Sequence, residues 1–133
     1  DIRDEDYYIR LNVCEVLGKL GEIAATNEVI AALLNAMSDD NFYVRREACQ
    51  ALAKLGEKAA RNAVIAALVN AMSDDVYRVR LGACESLGKL GEKAATNEVI
   101  AALINATRDK KYNVRWKAWE ALGKLGEKAA TSE

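Results

Sequence analysis

The residues of this chain best suited to chemistry are two acidic pairs and three cysteines. Asp39-Asp40 and Asp74-Asp75 could bring carboxylates to a metal ion, and Cys14, Cys49 and Cys84 could supply thiolates. Neither set has the company its chemistry needs. No further ligand converges on the acidic pairs in sequence, and helix starts call for acids at such positions in any case. A nucleophilic cysteine needs a base, and the chain contains no His at all. The same absence removes the residue most used for acid–base work near neutral pH. No Gly-rich phosphate loop is present. The expectation is a non-catalytic protein with no cofactor and no metal.

One stretch could do a different kind of work. Arg108, Lys110, Lys111, Arg115 and Lys117 interleave with Tyr112, Trp116 and Trp119, the mixture that binds nucleic acid. The charge balance argues against that partner. Residues 1–38 carry seven acids and three bases, whereas residues 109–133 carry six bases and four acids, and the whole chain has a net charge of −1. A basic end and an acidic end instead allow head-to-tail self-association.

The elements that must position these residues repeat. Gly21 returns as Gly56, Gly91 and Gly126, each 35 residues on, together with most of its surroundings. Such a period marks a stacked solenoid. In the second copy Val44, Ala48, Ala51, Leu52 and Leu55 make one apolar helical stripe, with Asp39-Asp40 read as its cap and Gly56 as its stop. The next segment puts Val64, Ile65, Leu68 and Met72 on one face. The register predicts a first helix at 5–20, then pairs 23–37 with 41–55, 58–72 with 76–90 and 93–107 with 111–125. Residues 1–133 thus form one solenoid of four copies: 1–38, 39–73, 74–108 and a shortened 109–133.

The cysteines follow the same period. Equivalent helices stack about 8–10 Å apart, beyond the Cα separation of about 7 Å that a disulfide tolerates. They read as reduced, semi-buried fillers, which suits the cytoplasm. No apolar run is long enough to span a membrane. Neither end looks capped, so the expectation is a piece of a longer array.

An Asp followed five and six positions later by an apolar residue and Arg recurs as Asp4/Ile9/Arg10, Asp39/Val44/Arg45, Asp74/Val79/Arg80 and Asp109/Val114/Arg115. With the LGKLG ending, this pattern resembles the HEAT repeat family. It looks most like the short HEAT-like subclass, which includes repeats named after phycobilin lyases and the artificial binders built from them. The resemblance implies an all-α, right-handed α-solenoid of antiparallel helix pairs, with the VRxxAxxAL helices lining the concave face. It also implies a ladder between neighbouring repeats made by Asp4, Arg10, Asp39, Arg45, Asp74, Arg80, Asp109 and Arg115. The period of 35 exceeds the subclass's usual one, which implies an extra turn in the AATNEVIAALINAM helix.

Where the copies disagree is informative. The second helix of each unit hardly varies, but the inner helix diverges at four positions lying opposite its apolar stripe. They read Tyr8, Tyr43, Arg78 and Asn113; then Leu11-Asn12, Arg46-Glu47, Leu81-Gly82 and Trp116-Lys117; then Glu15, Gln50, Glu85 and Glu120. Large apolar and aromatic groups on a solvent face point to recognition. Tyr7, Phe42, Tyr77 and Tyr112 recur in every copy and read as inter-repeat packing, and Trp119 as a bulky filler. The leading reading is a scaffold that binds a protein or peptide on its concave face. A library-derived repeat protein fits the same contrast, although the retained cysteines and Arg61-Asn62-Ala63 in place of Thr-Asn-Glu oppose it.

Overall fold

A computed structural model describes the backbone of residues 2–131 and the side chains of residues 6–127. Seven helices follow one another: α1 (Ile2–Leu20), α2 (Asn27–Ala36), α3 (Phe42–Lys54), α4 (Asn62–Ala71), α5 (Tyr77–Lys89), α6 (Asn97–Ala106) and α7 (Tyr112–Thr131). They form an α-solenoid of helix pairs, with no strand among the described residues. The inner helices α1, α3, α5 and α7 lie side by side in one continuous layer. The outer helices α2, α4 and α6 each pack on the inner helix that follows and touch one another little.

The layers close on a spine of leucines. Leu33, Leu52, Leu55, Leu68, Leu87, Leu90, Leu103 and Leu125 are fully buried, each contributing about 1.5–3 kcal/mol of transfer free energy. Small residues let the inner helices approach. A Cβ built on Gly18 would lie 3.1 Å from the Ala51 Cα, and one on Gly88 would lie 3.0 Å from the Ala121 Cα. Cys14, Cys49 and Cys84 are buried free thiols, so the expected semi-burial is an underestimate. Burial raises their pKa to about 11, 12 and 12, which keeps them protonated and poor nucleophiles.

Two local expectations are overturned. The outer helices, expected over 23–37, 58–72 and 93–107, are ten residues long. The residues expected to begin them form a short 3-10 turn led by Gly21, Gly56 or Gly91, whose φ angles of 64°, 80° and 96° lie in the left-handed region. The Thr26 and Thr96 hydroxyls then accept the Val29 and Val99 amides at 3.2 Å, which sets the start of α2 and α6. Secondly, Asp39, Asp74 and Asp109 do not cap the inner helices. Each takes the amide two residues on (Asn41, Val76, Lys111) at 2.9 Å, folding the turn before the helix. Asn41 is the cap of α3, accepting the Tyr43 amide at 2.9 Å.

The terminal helices run through the places where interior ones turn. Helix α1 begins at Ile2, so the backbone of Asp4 lies inside it rather than in a preceding turn. At the other end α7 continues to Thr131, and Gly126, expected to stop it, is helical. The interior turns are held by neighbours: Glu22 Oε1 would meet a Cβ on Gly56 at 3.0 Å, and Glu57 Oε1 one on Gly91 at 3.1 Å. Nothing lies within 4 Å of such a Cβ on Gly126. Glycine permits the left-handed stop, and at Gly56 and Gly91 a glutamate of the preceding repeat lies over it.

Candidate functional site

Two rows of side chains rise from the same inner helices. The first joins the repeats. Arg10 donates through Nε and Nη2 to Asp39 at 2.5 and 3.0 Å, Arg45 to Asp74 at 2.9 and 3.2 Å, and Arg80 to Asp109 at 2.8 and 3.1 Å. These are two-pronged forks, the strong form of a guanidinium–carboxylate contact. Arg45 and Arg80 also donate to the carbonyls of Asp39 and Asp40, and of Asp74 and Asp75, so each arginine ties its own turn to the next one. Burial works to raise the Asp39 and Asp109 carboxyls, but hydrogen bonds from Arg10 and Arg80 and from backbone amides outweigh it and hold both below the usual carboxylate range. Arg115 donates to the Asp109 carbonyl at 2.8 Å, and the position that would complete its fork lies outside the sequence. The Asp4 side chain lies outside the described residues.

The second row lies opposite the buried stripe. On α1, Tyr8 and Asn12 are exposed while Leu11 and Glu15 are half-buried; on α3, Tyr43, Arg46, Glu47 and Gln50 are all half-buried. On α5, Arg78 is exposed and Leu81 and Glu85 are half-buried; on α7, Asn113 and Trp116 are exposed and Lys117 is half-buried. Because the inner helices are adjacent, these side chains form one surface, yet they are not four independent columns. The Arg46 stem crosses Gly82 of α5, where a Cβ would lie 3.4 Å from its Cγ. Its guanidinium carbon sits 5.6 Å from the Tyr43 ring centroid, and its buried Nε has no hydrogen-bond partner. Lys117 bridges Glu85 at 3.3 Å and Glu120 at 3.2 Å. Burial opposes its charge, but these carboxylates win and raise its pKa.

Between α5 and α7 the surface opens into a groove of about 340 Å³ lined by Leu81, Tyr112, Asn113, Trp116, Lys117 and Glu120. Five of these stand at the divergent outward positions of the inner helices. Tyr112 does not: grouped in sequence with the packing aromatics, it is exposed here, whereas Tyr7, Phe42 and Tyr77 are half-buried. The difference is the following repeat, which lays Lys111 Nζ 5.0 Å from the Tyr77 ring centroid and has no counterpart over Tyr112. Trp119, at the position of the buried Cys49 and Cys84, is 65% exposed. Sequence reasoning also missed Ser86, whose buried hydroxyl donates to the Cys49 carbonyl at 2.7 Å. Only its change from Ala51 and Ala121 in the equivalent copies signals it.

The basic–aromatic stretch is largely spent on internal contacts: Lys111 on Tyr77, Arg115 on the Asp109 carbonyl and Lys117 between two glutamates. Among the described residues no group of three or more possible ligands is placed to hold a metal ion, and no helix is long and apolar enough to cross a membrane. Comparison with curated proteins returned no match. A family model described as HEAT repeats matches three times, over residues 2–70, 30–98 and 65–133. HEAT repeats are generally non-catalytic, protein-interaction scaffolds. Seven helices in inner and outer layers, forked Arg–Asp links at a constant offset and those three overlapping matches lead to one statement: this chain belongs to the HEAT repeat family.

Proposed function

We propose that this chain binds a protein or peptide segment on the surface formed by α1, α3, α5 and α7, with no catalysis of its own. The observation that supports the reading best is Trp116, which is 61% exposed on a groove whose other walls are Leu81, Tyr112, Asn113 and Lys117. An exposed indole beside an open, mixed apolar and polar groove is a ready anchor site, because burying it gives a large apolar gain and its N–H retains a polar partner. The remaining contacts are Tyr8, Leu11, Asn12 and Glu15 toward one end, and Tyr43, Glu47, Gln50 and Arg78 in the middle. Lys117 and Glu85 hold the groove's shape, each satisfying the other's charge. Three buried reduced thiols suit a cytoplasmic setting.

The test selects peptides from a displayed library against the whole chain and ranks them on single variants. Trp116→Ala should weaken the selected peptides at least about tenfold, Leu81→Ala less, and Lys58→Ala, on the turn before α4, not at all. Peptides that are lost with Lys58→Ala and kept with Trp116→Ala would refute the face assignment.

A further inference from the structure

Two departures from the repeat's own pattern meet in the middle of the surface formed by the inner helices. Leu11, Arg46, Leu81 and Trp116 are equivalent, so one cation stands in a row that is otherwise large and apolar. Asn12, Glu47, Gly82 and Lys117 are equivalent too, so one glycine stands in a row of polar side chains. Gly82 lies in mid-helix, where glycine costs about 1 kcal/mol against Ala, and its φ is not left-handed, so no turn asks for it. What it provides is room. It is buried beneath the stem of Arg46, whose Cγ would lie 3.4 Å from a Cβ at position 82. A side chain of the kind the other copies carry would take the space in which that stem lies.

The guanidinium held in this notch has no acid. Each ladder arginine on α1, α3 and α5 presents Nε and Nη2 together to one carboxylate, and Lys117 and Lys124 have glutamates. Arg46 has the same Nε edge, covered from water and without a partner. Leaving such a group unpaired costs about 1–3 kcal/mol. The charged residues beside it in sequence are engaged elsewhere: Arg45 in the ladder, Glu47 near the Cys14 thiol of α1. On α5, one turn before Gly82, Arg78 is exposed with its guanidinium carbon 5.6 Å from the Tyr77 ring centroid, and Lys111 Nζ lies 5.0 Å from the same centroid. Among the described residues none of Arg46, Arg78 and Lys111 is in an ion pair with a carboxylate, so this part of the face is positive and uncompensated.

We propose that Arg46, with Arg78 beside it, is a carboxylate-binding site, and that the peptide segment recognised on this face places an Asp or Glu there. The proposal rests on the face assignment above and names the partner's chemistry. A carboxylate matches the guanidinium edge by two parallel hydrogen bonds, as the ladder aspartates do. Closing that fork takes a swing of the half-buried guanidinium off Tyr43, which brings the covered Nε out to the acid. The stack sets the spacing. The notch between α3 and α5 and the Trp116 groove between α5 and α7 are one repeat apart, about 8–10 Å, which an extended chain covers in about three residues. The acid therefore stands about three positions from the apolar residue seated against Trp116.

Peptides selected on the whole chain, then made with amidated C termini so that no terminal carboxylate competes, test it. They should share an Asp or Glu about three positions from a large apolar residue. Changing that acid to its amide should weaken binding to the wild-type chain about tenfold. Arg46→Met, which keeps a stem over Gly82, should abolish the difference between acid and amide. Arg46→Lys, a charge without the fork, should shrink it, and this second variant reads the same difference should the first not fold. Arg78→Ala should reduce it less than Arg46→Met does. An acid-to-amide change that costs as much on both Arg46 variants as on the wild-type chain overturns the proposal, while loss of the same peptides with Trp116→Ala leaves the face assignment standing. Selected peptides that share no acid overturn it equally. Binding indifferent to both Trp116→Ala and Arg46→Met overturns the site and the face together.

Discussion

Helices α3 and α7 share their apolar stripe and the same KLGEKAA stop segment in the same register, and they finish differently. At Lys54 the chain stops, turns through Gly56 in the left-handed region and folds an outer helix back onto the stack; at Lys124 it continues through Gly126 as helix. Cys49 is fully buried and its counterpart Trp119 is 65% exposed. The contrast teaches that a solenoid turn is a joint property of two repeats. The local residues permit it, and the neighbouring repeats hold it: the preceding one lays a glutamate over the glycine, and the next supplies the ladder aspartate and the small-residue contact. The quasi-one-dimensional energetics of repeat proteins follow from such nearest-neighbour terms.

The largest effect that should separate interior from end is cavity formation. Leu87→Ala in α5, where the side chain is fully buried, should cost about 3 kcal/mol in denaturant melts. Leu20→Ala in α1, where the side chain is half exposed, should cost less than about 1 kcal/mol. Equal costs would break the comparison.

Next comes the ladder. Arg80→Ala removes both prongs to Asp109 and two carbonyl contacts, at a cost of about 2–3 kcal/mol. Arg115→Ala loses the Asp109 carbonyl contact and should cost about 1 kcal/mol. Acid titration gives a second readout. The Asp109 carboxyl has a lower pKa folded than unfolded, so its contribution is present above about pH 4 and is lost as pH falls through the folded value. Removing Arg80 should therefore flatten the loss of stability on acidification, and an unchanged slope would count against the fork.

The smallest effect carries the sharpest sign. Gly56→Ala strains a residue with φ of 80° and should destabilise by about 1–2 kcal/mol. Gly126→Ala sits in helix with open space around it and should stabilise by up to about 1 kcal/mol. Thermal melts moving in the same direction would show that α7 turns at Gly126 after all.

Much of this was legible in the chain itself. The 35-residue period, the apolar stripes and the recurrence of Asp, Val and Arg suffice for an all-α stack, because helical periodicity and helix-stop residues are local properties. The outward positions of the inner helix were readable for the same reason, since helix geometry alone places residues 43, 46, 47 and 50 opposite the stripe. Helix boundaries were less so. Thr26 and Thr96 look like ordinary polar residues until the turn that precedes them exists to be capped. The pairing of Lys117 with Glu85 and the stem of Arg46 over Gly82 join residues more than 30 positions apart, and no local signal carries them.

By itself, then, the sequence determined the repeat, the faces of each helix and the residue types available on them, all set by short-range geometry. Only the tertiary structure decided which of two equal glycines would turn, which aromatic would be buried and which distant charges would pair. Those outcomes depend on what the neighbouring repeat supplies, and a residue cannot encode its neighbour's contacts.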